Sequence, residues 1–304
     1  MLTSFNSGYL SKEDGHEIYF AEYGNPKGEI VLTLHGGPGS HHKPHHVECF
    51  DLTQYHIIAF DQRGCGQSKF KDVIKGNNTQ KLISDIERLR QHLGIKSWFV
   101  AGSSWGSTLA LSYAETYPKP VKGLLLRSIF LARKEDNDWA FGVGGVSRLF
   151  PDLLDKTKSD FTPLELFRKI EHATLSERNH LITPVLNWEG NLLSSQTDLT
   201  FTKPSEVTDE HLNMVKISLH YLANNYFLKD NEILTNIHKI KNIPTIIVHG
   251  RYDILCPVDG AYTLSQNLKK SELIILPSSN HKLTADGLIA QKLAYKSFLL
   301  LQGV

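Results

Sequence analysis

The chain has 304 residues, 40% hydrophobic and 21% charged, with 33 basic and 32 acidic side chains and a formal net charge of +1. This composition excludes a disordered chain, and the balanced charge offers no electrostatic case for nucleic acid or an anionic membrane as partner. The length suits one large α/β domain carrying an insertion, which needs neither disulfides nor a structural metal to hold its core.

Three cysteines, Cys49, Cys65 and Cys256, are odd in number and lack metal-ligand spacing, which favours a reducing compartment. The first twenty residues show no basic segment followed by an apolar run, and no apolar stretch is long enough to span a bilayer. A cytoplasmic enzyme is therefore expected. Nothing in the sequence bears on oligomeric state.

In chain order, four short apolar runs end in glycine or turn residues: EIVLTLHGG (29–37), HIIAFDQRG (56–64), WFVAGSS (98–104) and GLLLRSIF (123–130). Between the second and third, Leu82, Ile86, Leu89 and Leu93 recur at helical spacing and Gly94 marks a helix end. Continuous apolar strands alternating with helices predict a mostly parallel central sheet covered on both faces. From about residue 136 to 236 the strand signal fades into helix-like pieces, including TPLELFRKIEHA and TDEHLNMVKISLHYLANNYFL. Strand signals return with PTIIVHGRYD (244–253) and ELIILP (272–277), followed by a final helix from about Leu288. The expected organisation is an α/β core in two parts, 1–135 and 237–304, with an inserted helical cap over 136–236. Such a cap would close over the carboxyl edge of the sheet, where open α/β sheets bind ligands.

The stretch FVAGSSWGSTLAL (99–111) holds three serines. G-x-S-x-G fits one register, Gly102, Ser103, Ser104, Trp105, Gly106, and selects Ser104 over Ser103 and Ser107. A nucleophile at a sharp strand-to-helix turn needs small residues two positions either side, so that strand and helix backbones can pass closely. The helix N-terminus beneath it favours developing negative charge. A serine hydroxyl also needs a base, and in this fold the order is Ser, acid, His. His281 is the single histidine past residue 249 and lies in a loop after the last strand. Asp253 follows the preceding strand and is better placed than Asp259 or Glu272. An oxyanion hole is expected from HGGPGS (35–40), with the Gly37 N–H as one donor and the Trp105 N–H as the second. The tract HHKPHH (41–46) reads as rim rather than a metal site, and Cys65 and Cys256 read as packed thiols near the pocket. No metal or other cofactor is expected.

HGGPGS, FDQRGCGQS, GSSWGSTLALSYAETYP, SRLFPD, NWEG and HGRYDILCP, in this order over about residues 15–295, resemble the proline iminopeptidases (prolyl aminopeptidases) of the α/β-hydrolase superfamily. The resemblance implies a cytoplasmic serine peptidase that releases N-terminal proline from peptides with a free N-terminus, with Ser104, Asp253 and His281 as triad. It also implies that Glu189 in NWEG binds the substrate amine, and a carboxylate there would pair with a cationic α-amine. Trp139, Phe141 and Phe150 are candidates for an apolar slot around a proline ring. Two departures stand out. A second amine-binding glutamate, expected before an HYF-like stretch, is matched to Ala223, and DNDWAFGVGG lacks the tyrosine often found near WFYQ-type sequences.

Three readings stay open: an aminopeptidase for proline or another small N-terminal residue, a carboxylesterase or amidase with the same triad, and a non-catalytic binding protein on a hydrolase fold. Dehalogenase and epoxide-hydrolase chemistry would want a carboxylate at position 104, where serine stands.

Overall fold

The structure is a computed structural model and describes residues 2–142, 144–157, 161–194 and 199–301. Its centre is an eight-stranded sheet. Two strands at one edge, β1 (Asn6–Tyr9) and β3 (Tyr19–Gly24), pair antiparallel, and β3 runs antiparallel to β5 (Tyr55–Phe60). From β5 onward the strands are parallel: β5, β4 (Glu29–Leu34), β7 (Trp98–Ser104), β8 (Val121–Ile129), β9 (Thr245–Gly250) and β10 (Ser271–Leu276). A small antiparallel pair, β2 (His16–Glu17) with β6 (Lys69–Phe70), stands apart.

The central strands alternate between two apolar layers with the period of two that a pleated strand imposes. Leu32, Ile58, Val100, Leu124 and Ile247 point into one layer, and Val31, Ile57, Phe99, Leu125 and Ile246 into the other. Both faces are buried, so these segments read as unbroken apolar runs. On the first face lie α2 (Thr79–His92), α3 (Trp105–Thr116) and α10 (Val258–Asn267), through Leu82, Ile86, Leu89, Leu109, Tyr113 and Leu264. On the second lie α1 (His45–Glu48) and α11 (Ala285–Leu301), through Val47, Tyr295, Phe298 and Leu299. The Asn78 side chain caps α2 by accepting from the Lys81 amide at 2.9 Å, and Gly94 ends the segment at φ +67°.

Between β8 and β9 the chain is helical: α4 (Lys134–Phe141), α5 (Pro151–Thr157), α6 (Pro163–His172), α7 (Leu175–Ser194), α8 (Asp209–Ala223) and α9 (Glu232–Asn236). Thr162 starts α6 with a capping box to Glu165. Leu166, Phe167, Ile170, Ile182, Leu212, Val215 and Leu219 give α6, α7 and α8 their own small core. Ile217 and Tyr221 of α8 instead join the main core, so α8 ties this region to the sheet.

Candidate active site

At the carboxyl end of β7 the chain turns into α3 at Ser104, whose backbone sits at φ +57°, ψ −129°, a region L-residues avoid. Both flanking glycines are needed for space. A Cβ on Gly102 would lie 2.1 Å from the Gly106 carbonyl oxygen, and one on Gly106 would lie 2.3 Å from the Leu34 carbonyl oxygen. Ser107 is fully buried, donates to the Ser104 carbonyl at 2.7 Å and accepts from the Phe130 amide at 3.2 Å. Its hydroxyl is a structural bond. Ser103 continues β7, and Ser104 faces a cavity of about 280 Å³.

The loops after β9 and β10 supply the other groups. His281 Nδ1 lies 2.8 and 3.0 Å from the two Asp253 carboxylate oxygens, and both residues are buried. Asp253 Oδ1 also accepts from the Cys256 amide at 2.8 Å. Burial alone would raise the Asp253 carboxyl; the His281 charge and hydrogen bond, with His249 and the Cys256 amide, outweigh it and hold it below its ordinary value. The His281 carbonyl accepts from Arg127 Nη1 and Ser128 Oγ, each at 3.0 Å, which fixes its loop to the end of β8. His249 is buried and held neutral: Nδ1 accepts from the Ile129 amide at 3.0 Å and Nε2 donates to the Cys256 carbonyl at 2.8 Å. Ser104 and His281 line the same cavity. The Ser104 hydroxyl is turned toward the Cys256 sulfur, and among the described residues no hydrogen bond joins it to His281. Nucleophile–base hydrogen bonds commonly tighten only with substrate present.

The opposite wall is the turn after β4. Gly36 and Gly37 line the cavity, and a Cβ on Gly36 would lie 3.3 Å from Ser104 Cβ, so a side chain there would crowd the nucleophile. Gly37 adopts φ +119°. A buried polar chain sets this turn against α3. Trp105 Nε1 donates to Gln62 Oε1 at 3.0 Å, Gln62 Nε2 donates to the His35 carbonyl at 2.8 Å, and the Gln62 amide donates to His35 Nε2 at 3.0 Å. Burial pushes His35 down to about 4, so its ring is neutral and accepts at Nε2.

Helices between β8 and β9 form the remaining wall. Trp188 Nε1 donates to the Ala140 carbonyl at 2.9 Å, and the Asn187 side chain bonds both backbone groups of Thr202. These contacts orient α7 so that Glu189 faces the cavity. Its carboxylate has one long contact, from Ser218 Oγ at 3.4 Å, and no basic side chain pairs with it among the described residues. Burial raises its carboxyl to about 7.

Of the aromatic residues expected around a proline ring, Phe141 lines the cavity, while Trp139 and Phe150 do not. Both pack in a small apolar cluster with Trp188 and Leu192, and Trp139 Nε1 donates to the Ile254 carbonyl at 2.8 Å. Apolar walls come instead from Phe130, Tyr226, Leu255 and Leu193. Tyr226 stacks on Trp105 at 5.6 Å and meets Phe130 edge-on at 5.1 Å, making an aromatic floor beside the nucleophile. Ala223 ends α8 away from the cavity; Ser218, on the same helix, is the residue opposite Glu189. In HHKPHH, His45, His46 and Lys43 line the rim, His41 pairs with Glu210 at 2.8 Å, and burial lowers His42 and His45 to about 4. Among the described residues the one trio of side chains close enough to share a metal ion is Asp253, Cys256 and His281.

Comparison with known proteins shows the family and the fold. A family model for the alpha/beta hydrolase fold matches residues 29–288. The chain is 39% identical over 287 residues to a proline iminopeptidase of Neisseria meningitidis serogroup B, covering 91% of this chain and 90% of that protein. It is 37% identical over 299 residues to a probable proline iminopeptidase of Leptolyngbya boryana, covering 95% and 92%. It is 36% identical to a proline iminopeptidase of Arabidopsis thaliana over 95% of this chain and 78% of the relative. Solved structures share the fold at lower identity. A haloalkane dehalogenase variant from Bradyrhizobium elkanii aligns with TM-score 0.68 at 18% identity over 99% of this chain and 98% of its own. An esterase from Exiguobacterium antarcticum aligns with TM-score 0.62 at 22% identity over 96% and 98%. With its mostly parallel sheet and its serine at the β7–α3 turn, the chain belongs to the proline iminopeptidase family of the α/β hydrolases.

Proposed function

We propose that the chain is a serine aminopeptidase that releases N-terminal proline from peptides through an acyl-enzyme. One observation carries the reading: a carboxylate without a basic partner, Glu189, shares a cavity with Ser104 and His281. A free amine is the cation that would complete it. Pairing at Glu189 measures one residue from the chain end and sets the first carbonyl at Ser104.

In this mechanism His281 takes the Ser104 proton as the hydroxyl attacks the scissile carbonyl, and returns it to the leaving amine. Asp253 orients the ring and stabilises its charged form. The N–H groups of Gly37 and Trp105 receive the oxyanion, each worth roughly 3–4 kcal/mol. Water then attacks the acyl-enzyme along the reverse path and frees proline. No step calls for a metal or other cofactor. No helix of the described residues is long and apolar enough to cross a membrane. With all three cysteines free, we place the enzyme in the reducing cytoplasm.

The test is hydrolysis of proline β-naphthylamide with and without an N-acyl block. The proposal expects the block to abolish turnover. Equal rates on both would move the assignment to a carboxylesterase or amidase, a reading that Ser218, a neutral partner for Glu189, keeps in view.

A further inference from the structure

Hydrolysis uses Ser104, His281 and Asp253 but leaves a fourth buried group at the same point unused. Cys256 follows Asp253 by three residues, and its backbone is held on both sides: its amide donates to Asp253 and its carbonyl accepts from His249, each at 2.8 Å. The side chain is thereby aimed at the triad, and its sulfur meets the Ser104 hydroxyl. One ligand atom from each of Asp253, Cys256 and His281 lies within 4.8 Å of the other two, and all three residues are buried. A tetrahedral ion with sulfur at about 2.3 Å and nitrogen or oxygen at about 2.0–2.2 Å holds its donors roughly 3.3–3.8 Å apart. From separations of at most 4.8 Å, that spacing asks the widest pair to close by about 1 Å. One sulfur, one imidazole and one carboxylate form a donor set for zinc or cadmium, not for magnesium or calcium.

We propose that Asp253, Cys256 and His281 form an inhibitory site for a borderline-soft divalent cation, with Ser104 at the fourth position. The ion forms a bond to the Cys256 sulfur as the S–H bond breaks, the proton leaves to solvent, and no redox change occurs. The coordinated imidazole no longer accepts the Ser104 proton, so acylation stops until the ion is withdrawn. Only this inhibitory consequence rests on the proposed catalytic roles; ion binding itself does not.

The test uses full-length protein freed of metal by a chelator, in thiol-free buffer. Cadmium chloride is titrated while the ultraviolet thiolate-to-cadmium band and proline β-naphthylamide hydrolysis are both followed, then repeated with zinc chloride for rate. The expected result is one ion per chain, loss of turnover in parallel with the band, and recovery on adding EDTA. In Cys256→Ala and Cys256→Ser, each scaled to its own metal-free rate, half-inhibition moves up by at least ~10-fold and the band disappears. In Ser104→Ala the band persists although turnover is gone, so the binding result stands apart from the fate of the aminopeptidase reading. Unchanged half-inhibition in both Cys256 variants, or a band that survives in them because Cys49 or Cys65 carries it, overturns the proposal.

Discussion

Replacing Glu189 with Gln should make the protein more stable and a poorer aminopeptidase at once. The carboxyl is raised from its ordinary 4.5 to about 7 by burial. At about 1.4 kcal/mol per pH unit this amounts to about 3 kcal/mol of destabilisation when the group is ionised in the fold. The sign follows from proton binding. Below 4.5 the group is protonated folded and unfolded, and contributes nothing. Between 4.5 and 7 only the unfolded chain gives up its proton, so stability falls as pH rises, and above 7 the loss is complete. Glutamine keeps the shape and the contact with Ser218 without the charge. Urea unfolding of both proteins at pH 5 and pH 8 should show a gain for Glu189→Gln of up to about 3 kcal/mol at the higher pH and little at the lower. In parallel, kcat/KM on proline β-naphthylamide should fall by about 10- to 150-fold, the worth of a charge-assisted hydrogen bond, while an N-acylated substrate loses less than about threefold. A stability difference independent of pH, or an equal loss on free and blocked substrates, would refute the reasoning.

Three further substitutions test the site's construction. Ser104→Ala should remove turnover and leave the fold intact, and Ser104→Gly, relieved of a positive φ worth about 1 kcal/mol after glycine's own entropy cost, should melt above Ser104→Ala; a lower Tm for the glycine variant contradicts the strain. Gly106→Ala drives a methyl into the Leu34 carbonyl and should cost about 1–3 kcal/mol in thermal unfolding along with most activity, whereas a neutral effect means that the close approach is not required. Asp253→Asn should lower kcat by roughly 10³–10⁴. Because the Asp253 carboxyl is held below its ordinary value, the wild type's stability advantage over that variant should be present at neutral pH and vanish as acid protonates the carboxylate.

How much of this could be read beforehand depended on whether a signal was local. The parallel strands were legible because residues such as Leu124 and Leu125 are buried in opposite layers, leaving no polar position to break the run. The edge strands β1 and β3 were not. Asn6–Tyr9 is mostly exposed, and β3 places a buried Glu22 against His56 at 2.6 Å, so charge masks a core position. The candidates Ser104, Asp253 and His281 came from chain order, and the structure puts Ser104 at the end of β7 and the other two in the loops after β9 and β10. The substrate wall was not. Trp139 and Phe150 have the size of pocket residues but pack beside Trp188 and Leu192 instead, a placement that only tertiary packing decides. Ala223 was matched from a phrase of sequence, whereas α8 presents Met214 and Ser218, one turn apart, to the cavity. Five residues beyond Ser218, at about 100° per residue, Ala223 falls well off that face. Phe130 and Tyr226 come from segments nearly a hundred residues apart, and only the folded chain brings them together.

The most direct test of the central claim is covalent labelling by a fluorophosphonate, read by mass spectrometry of the digested protein, in the wild type and in His281→Ala. The account predicts a single adduct on Ser104 in the wild type and labelling slowed by orders of magnitude in the variant. Labelling on another residue, or an undiminished rate without the imidazole, would contradict it.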